Sequence, residues 1–578
     1  MPESNAPTQT LQGIPAAPGL AHGEMFLLNR VKLQIPDRPP ETPEVEWSKL
    51  LEAIEQARTE IVALEERVRT EVGEEEAGVF GAHQMFLDDP DLQEDAQEKI
   101  ENGGMIAEAA WKSTVDFYAA QLEALPDKTL SERAADVRDV GQRVLAHMLG
   151  VGGQAIAQPS RPVIIVADDL APSETASLDK KFVLAFCTAQ GGPTSHTAIL
   201  AKTLGLPAVV GLGQKILDQP PATRLLVNGN SGQVIVGADT AMIEAFEQSQ
   251  REAAEQSKSE LALAHQPAVT TDGKAVEVVA NIGQLSEAAH ALEMGAEGVG
   301  LLRTEFLYLD RDVAPDEEEQ YRVYQDILDV MGERPVVVRT LDVGGDKPPS
   351  YMDLGQEENP FLGWRAIRIS LDLPDFFKEQ LRALLRASPS HDLRIMFPMI
   401  ATLEDIRRAK EILAEVRADL EERGIPTAAR VQVGIMVEVP STAVIADIFA
   451  KEVDFFSIGT NDLTQYTFAA DRGNVKVARY GDSIHPAVLR LIAEVIRAGH
   501  AAGIWVGLCG ELAGDAHAIP VLLGLGLDEF SMAANSIPHA KAVIRRWNVE
   551  QARKMAEKAL QMDTAAAVRT LVNEFILE

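Results

Sequence analysis

The sequence predicts a multidomain α/β protein: an α/β domain with an inserted helical bundle, then a linker helix and a C-terminal (β/α)8 barrel. Three observations predict it. The chain has 578 residues, too many for one ordinary hydrophobic core, so two to four domains are expected. The hydrophobic period changes from helical before about Gly150 to short β-branched runs after Pro162. Over the last roughly 300 residues, eight apolar strand candidates alternate with helical stretches, the pattern of a parallel β/α barrel.

The first residues end in GIPAAPGLAHGEMFLL, a stretch punctuated by Gly and Pro that reads as strands. From about Glu44, Trp47, Leu50, Leu51, Ile54, Ile61, Leu64 and Val68 recur at helical spacing with charges between them. EEEAGVFGAHQMFL, DLQEDAQEKI and LSERAADVRDVGQRVLAHML continue this helical region. PVIIVADDL, KFVLAFCTAQ, PAVVGLG and RLLVNGNSGQVIVG then read as strands. ADTAMIEAFEQSQREAAEQSKSELALAHQ, rich in Ala, Glu and Gln, predicts a long, mostly exposed linker helix. The barrel strands are VEVVANI, GVGLLRTEF, PVVVRTLDVGG, RIMFPMI, VGIMVEVP, DFFSIGTNDL, WVGLCGE and EFSMA. A doubly wound open sheet is the competing topology. The count of eight and the placing of polar residues at strand ends favour the barrel.

The net charge of −35 argues against nucleic acid or an anionic membrane as partner. Cys187 and Cys509 are the only cysteines, so no disulfide framework is expected. The opening MPESNAPTQT has no signal-peptide pattern and no apolar run suits a transmembrane helix. The cytoplasm is the expected location.

In a barrel of this kind, active sites lie where the strands end. Those ends carry Arg303, Arg339 with Asp342, Glu438, Asn461 with Asp462, and Cys509 with Glu511. Arg365 and Arg472 lie in loops able to reach the same face. Several guanidiniums can grip a phosphate and a carboxylate in bidentate fashion, although a lone arginine here also fits a rim salt bridge. Glu438 and Asp462 offer hard oxygen ligands for Mg²⁺. Cys509 is either a protonated thiol available as an acid or a small residue capping a strand.

AQGGPTSHTAILAKTLGLP reads as strand, glycine turn and helix, with Thr194 as cap and Gly205 with Pro207 ending the helix. His196 then falls near a helix N-terminus, where free N–H groups favour a phosphoryl group and disfavour imidazolium. Neutral imidazole is a nucleophile; a structural histidine is the alternative.

GGPTSHTAILAKTLGLPAVVG resembles the phosphohistidine signature of the phosphoenolpyruvate-utilising enzymes, and DFFSIGTNDLTQYTFAADRGN resembles their second signature. The order of regions, NPFLGWRAIR and GLCGELAGD are similar to the enzyme I family of the bacterial phosphotransferase system. The resemblance covers nearly the whole chain. It implies transfer of a phosphoryl group from phosphoenolpyruvate to His196 and then to the phosphocarrier protein HPr, starting a relay for sugar uptake. It implies donor binding by Arg303, Arg339, Asn461, Asp462 and Arg472, with Arg365 close by. Glu438 and Asp462 would hold Mg²⁺, and Cys509 would protonate the enolate as pyruvate forms. Residues 25–149 would dock HPr, with His83, Glu74 and Glu75 among the contacts. The implied division is 1–24 plus 150–237 for the phosphohistidine domain, 238–268 for the linker and 269–578 for the donor-binding, dimerising barrel.

His196 must reach both the barrel and the docking region, so the linker is expected to act as a hinge with at least two arrangements. A pyruvate–phosphate dikinase or phosphoenolpyruvate synthase would need an additional nucleotide-binding domain, for which the helical N-terminal region offers no glycine-rich phosphate loop. The nitrogen-related paralogue of enzyme I normally adds an N-terminal sensory domain. A non-catalytic regulatory protein would be marked by loss of His196, Cys509 or the arginines, and all are present.

Overall fold

A computed structural model of the protein describes residues 8–28, 33–71, 74–124, 128–151, 159–170, 174, 178, 180–192, 196–309, 311–345, 349, 351–352, 354–355, 357–472 and 474–577. The chain divides into two compact units, Met1–Ala253 and Ala254–Glu578.

The first unit opens with strands β1 (Gln9–Gln12), β2 (Ile14–Ala17) and β3 (Leu20–Leu27). Helices α1 (Pro43–Glu71), α2 (Glu74–Asp88), α3 (Pro90–Glu101), α4 (Ala107–Glu123) and α5 (Lys128–Met148) follow. Strands then return as β4 (Val163–Ala167), β5 (Val183–Thr188), β6 (Ala208–Val210), β7 (Arg224–Asn228) and β8 (Gln233–Val236), with helix α6 (His196–Leu204) between β5 and β6. The strands form one mixed sheet in the order β1-β8-β7-β3-β4-β5-β6-β2. Because β3 and β4 are parallel neighbours, the helices are an insertion between two adjacent strands.

The bundle follows from the period of α1, which buries Leu50, Ile54, Ala57, Ile61, Leu64 and Val68 along one face. Asp89 caps α3 by accepting from the Asp91 N–H at 2.9 Å, with Pro90 at the first helical position. Helix α4 is the one that the periodicity in the sequence does not announce. Its buried face includes Glu108 and Thr114 beside Trp111, and two cations offset the carboxylate: Arg38 at 2.9 Å and Lys49. A buried, paired charge breaks the apolar pattern on which sequence reading depends. Gly141 lets α5 approach α4, since a Cβ there would sit 2.4 Å from Val115.

Helix α7 (Thr240–Ala262) is the long helix expected between the regions, and the boundary of the two units falls inside it. Within the second unit, Lys541 ties down the residues after it by donating to the carbonyls of Ala264 at 3.0 Å and Gly295 at 2.8 Å. Arg545 donates to Leu263 O at 2.9 Å.

After the short strand β9 (Ala268–Val269) come β10 (Ala275–Ile282), β11 (Val299–Leu302), β12 (Val336–Arg339), β13 (Leu393–Phe397), β14 (Gln432–Val437), β15 (Phe455–Ile458), β16 (Trp505–Leu508) and β17 (Glu529–Ala533). Strands β10 to β17 pair in parallel with their sequence neighbours, and β10 pairs with both β11 and β17, so the barrel closes. The open-sheet alternative is excluded. Most strands stop one to several residues before the polar ends of the apolar runs, so those residues sit on the turns that form the mouth. Leu301, Val337, Met396, Met436, Phe455 and Cys509 pack inside the barrel. No helix among the described residues is long and apolar enough to cross a membrane.

Candidate active site

The mouth of the barrel is organised around Arg339, the last residue of β12. Its guanidinium lies 3.0 Å from Glu305, in the turn after β11, and 3.1 Å from Asp342, three residues on. Glu305 also accepts from the Asp342 N–H at 3.0 Å, which fixes the loop after β12. Arg365 returns from that loop to hold both oxygens of Asp342, Nε donating to Oδ1 at 3.3 Å and Nη2 to Oδ2 at 3.1 Å, a bidentate pair. Gly344 makes room for this return: its φ is +103° and a Cβ would meet Arg365 Cβ at 2.7 Å.

Arg365 also lies 3.6 Å from Asp462, as does Arg472. Glu305, Arg339, Asp342, Arg365, Asp462 and Arg472 therefore form a run of alternating charges around the mouth. Burial would weaken these guanidiniums and carboxylates singly; the neighbouring opposite charges hold Arg339 and Arg365 above and Asp342 below their ordinary pKa values. The Phe361 ring lies 5.8 Å from both the Arg365 and the Arg472 guanidinium. Tyr466, on the helix Thr460–Phe468 after β15, accepts from Arg365 at 3.1 Å and donates to Phe361 O at 2.5 Å, joining that helix to the segment after β12.

Glu438 follows β14 and is 1% exposed. It accepts from the Met399 N–H at 2.6 Å. Burial, then the charges of Asp462 and Asp342, push its carboxyl up to about 8 against the pull of Arg339. Asp462 Oδ1 is buried without a hydrogen-bond partner among the described residues. Two buried carboxyl groups whose mutual repulsion pushes Glu438 up fit a hard dication. No group of three or more His, Cys, Asp or Glu able to hold a metal occurs among the described residues. A cation on Glu438 and Asp462 would complete its shell from water and substrate oxygens.

Cys509 follows β16 and is buried, its sulfur 3.8 Å from Ile458 O. Burial pushes the thiol up to about 11, opposed by the Ser457 hydroxyl, so it carries its proton at neutral pH. Asn461 accepts from the Glu511 N–H at 3.4 Å. Arg303 is exposed at the end of β11, its N–H bonded to Ile282 O at 2.9 Å. Three non-glycine residues around this mouth have left-handed backbones: Ala366 (φ +53°), Met399 (+52°) and Ala469 (+50°). They set Arg365, Glu438 and the loop to Arg472, and strain held at such positions is a mark of functional sites.

The barrel thus gathers Arg339, Arg365, Glu438, Asp462, Arg472 and Cys509 at one mouth. Glu305 and Tyr466 are additional members that sequence reasoning missed. Glu305 stands in RTEF, two residues after Arg303, and that strand-end position was the available signal.

In the first unit the helix expected after the glycine turn begins at His196. The His196 side chain, and the expected Thr194 cap, lie outside the described residues, as do the side chains of Glu74 and Glu75. His83 is buried on α2, with Nε2 3.5 Å from Asp136 and its ring edge-on to Phe80. Met85, two residues on, is 74% exposed, an apolar side chain that α2 presents to solvent.

Three family descriptions match the chain: the PEP-binding domain of PEP-utilising enzymes over residues 257–549, their N-terminal domain over 12–133 and their mobile domain over 159–232. The phosphoenolpyruvate-protein phosphotransferase of Geobacillus stearothermophilus is 47% identical over 565 residues, covering 98% of each chain. The proteins of the same name from Priestia megaterium, at 46% over 97% of this chain and 98% of the relative, and Bacillus subtilis, at 45% over 98% and 99%, are equally extensive matches. The chain belongs to the family of PEP-utilising enzymes.

Proposed function

We propose that this protein is a phosphoenolpyruvate–protein phosphotransferase. The observation that carries the reading is the run of arginines and carboxylates at the barrel mouth beside a thiol that keeps its proton. The full-length relatives bearing that name support it. Arg303, Arg339, Arg365, Arg472 and Asn461 bind the donor's phosphate and carboxylate. Glu438 and Asp462 would hold Mg²⁺, which when bound would supply positive charge against the transferring group.

His196 attacks phosphorus as neutral imidazole, the P–O bond to the enol oxygen breaks, and the enolate leaves. The Cys509 S–H delivers its proton to the enolate methylene carbon, giving pyruvate and a thiolate. The phosphoryl group then passes from His196 to a histidine of HPr.

The division of labour follows the sequence: 1–24 with 150–237 for the phosphohistidine domain, 25–149 for HPr, 238–268 as linker and 269–578 for the donor and for dimerisation. On the docking side, α2 carries Glu74, Glu75 and Met85, and buried His83 acts by holding that helix. Lys541 and Arg545 tie the end of the linker to the barrel, so the hinge lies upstream in α7. The protein works in the cytoplasm as a homodimer.

The test is labelling with radioactive phosphoenolpyruvate and Mg²⁺ in wild type and His196→Ala, with and without HPr. Acid-labile label on the wild type alone, chased onto HPr, is the expected result. Label that never reaches HPr would assign another acceptor.

A further inference from the structure

Inside the barrel, Glu529 is a buried carboxyl that the chemistry at the mouth does not use. Glu529, the first residue of β17, is 1% exposed, and neither of its carboxyl oxygens has a hydrogen-bond partner among the described residues. Buried polar groups are nearly always satisfied, so one this isolated signals a missing water or a function. Its place in the barrel is informative. Glu529 pairs in register with Gly507 on β16, and Gly507 pairs in register with Ser457 on β15. The Ser457 hydroxyl is likewise buried, and it lies beside the Cys509 thiol, whose acidity it raises.

Side chains at paired positions of parallel strands share a face, and strands lie about 4.8 Å apart, so Ser457 and Glu529 face each other across about 10 Å. Between them Gly507 contributes no side chain. The Glu529 carboxyl leans into the gap, where a Cβ on Gly507 would meet its Oε1 at 2.7 Å. A polar notch of this kind suits water. Cys509 lies two residues beyond Gly507 on the same face, about 7 Å along the strand.

Below the notch, Trp505 stacks on Phe455 at 4.4 Å and Arg394 covers Trp505 at 5.1 Å, closing the floor. The side facing β10 differs. Glu277 pairs in register with Glu529 and is exposed, which opens a way to solvent at the base of the barrel.

We propose that the Gly507 notch is a proton-delivery site, in which Glu529 returns a proton through water and the Ser457 hydroxyl to the Cys509 thiolate formed at each turnover. The proposal rests on the reading of Cys509 as the acid that makes pyruvate. The balance is one proton. The Glu529 carboxyl O–H breaks, the Cys509 S–H forms, and the Glu529 carboxylate regains its proton from solvent past Glu277. The direction is downhill. Burial, then the Glu277 charge, hold Glu529 at about 8 against Arg394, whereas Cys509 stands at about 11. Glu529 is therefore a stronger acid than the thiol it serves, yet protonated at neutral pH.

The test is rapid-quench measurement of pyruvate with the full chain, phosphoenolpyruvate, Mg²⁺ and excess HPr. In Glu529→Gln the first pyruvate per active site forms at the wild-type rate, because Cys509 starts protonated. Later turnovers slow at least about tenfold, a modest share of what a positioned proton donor contributes. The later turnovers of the wild type fall above about pH 8, where Glu529 loses its proton under the influence of Glu277, Asp528 and Arg394, and its first turnover does not. Ser457→Ala, which also removes the hydroxyl that eases proton loss from the thiol, slows later turnovers more than the first, and carries the test if Glu529→Gln fails to fold. Later turnovers as fast as the first in the folded variants, or first and later turnovers falling together, would overturn the proposal. Absence of pyruvate from the wild type would overturn the phosphotransferase reading instead.

Discussion

Two buried glutamates stand at opposite ends of one barrel, Glu438 at the C-terminal mouth and Glu529 at the N-terminal base. Both are pushed up to about 8, and burial is the first cause in each. Their surroundings then diverge. Glu438 accepts a backbone N–H from Met399 and shares its space with Asp462 and Asp342, beside the arginines. Glu529 has a glycine gap on one side and Glu277 on the other. The first environment is short of a dication and the second keeps a proton. The same shift in acidity therefore serves two purposes, and the neighbours decide which.

Removing a charge from the mouth breaks that comparison most severely. Arg339→Ala leaves Glu305 and Asp342 without their shared cation, and phosphorylation by phosphoenolpyruvate falls about 10³-fold, as for loss of a donor to a developing charge. Phosphoryl transfer from phosphorylated HPr back to His196, measured on the same variant, is retained. Cys509→Ala slows pyruvate formation about 10²-fold while donor binding, read by calorimetry, changes little. An unchanged turnover would return Cys509 to a packing role. Arg365→Met breaks the bidentate pair with Asp342 and costs about 3–5 kcal/mol of stability in denaturant unfolding.

The smallest effect separates the two glutamates by pH. Each has a folded pKa of about 8 against an ordinary value of 4.5. A raised carboxyl favours folding below its ordinary pKa, and that contribution is lost as pH climbs from about 4.5 to about 8. The metal-free protein therefore loses thermal stability over this window. Glu438→Gln and Glu529→Gln each flatten the loss, but only Glu438→Gln removes the stabilisation by Mg²⁺, which in wild type grows as pH rises.

Much of this was legible in the sequence, and the gaps have physical causes. The eight barrel strands show as β-branched runs because strands buried on both faces carry no polar alternation. Their C-terminal ends read too long: DFFSIGTNDL reads as one strand, whereas β15 stops at Ile458 and Thr460–Phe468 is helical. Arg339, Glu438 and Asp462 were visible as charges at strand ends. Tyr466 was not, because its partners Arg365 and Phe361 come from the segment after β12, and Glu305 was passed over although it stands near the end of GVGLLRTEF. Helix α4 was hidden by buried Glu108, whose partners Arg38 and Lys49 lie far away in sequence. Glu529 reads as an ordinary strand-start charge, and only register against Gly507 and Ser457 reveals its isolation.

The central claim is that the barrel mouth charges His196. Its most direct test is mapping the acid-labile phosphate by mass spectrometry after brief exposure to phosphoenolpyruvate and Mg²⁺, in wild type and Arg339→Ala. The account predicts phosphate on the peptide containing His196 in wild type and almost none in Arg339→Ala. Phosphate on another residue, or full labelling of His196 in Arg339→Ala, would contradict it.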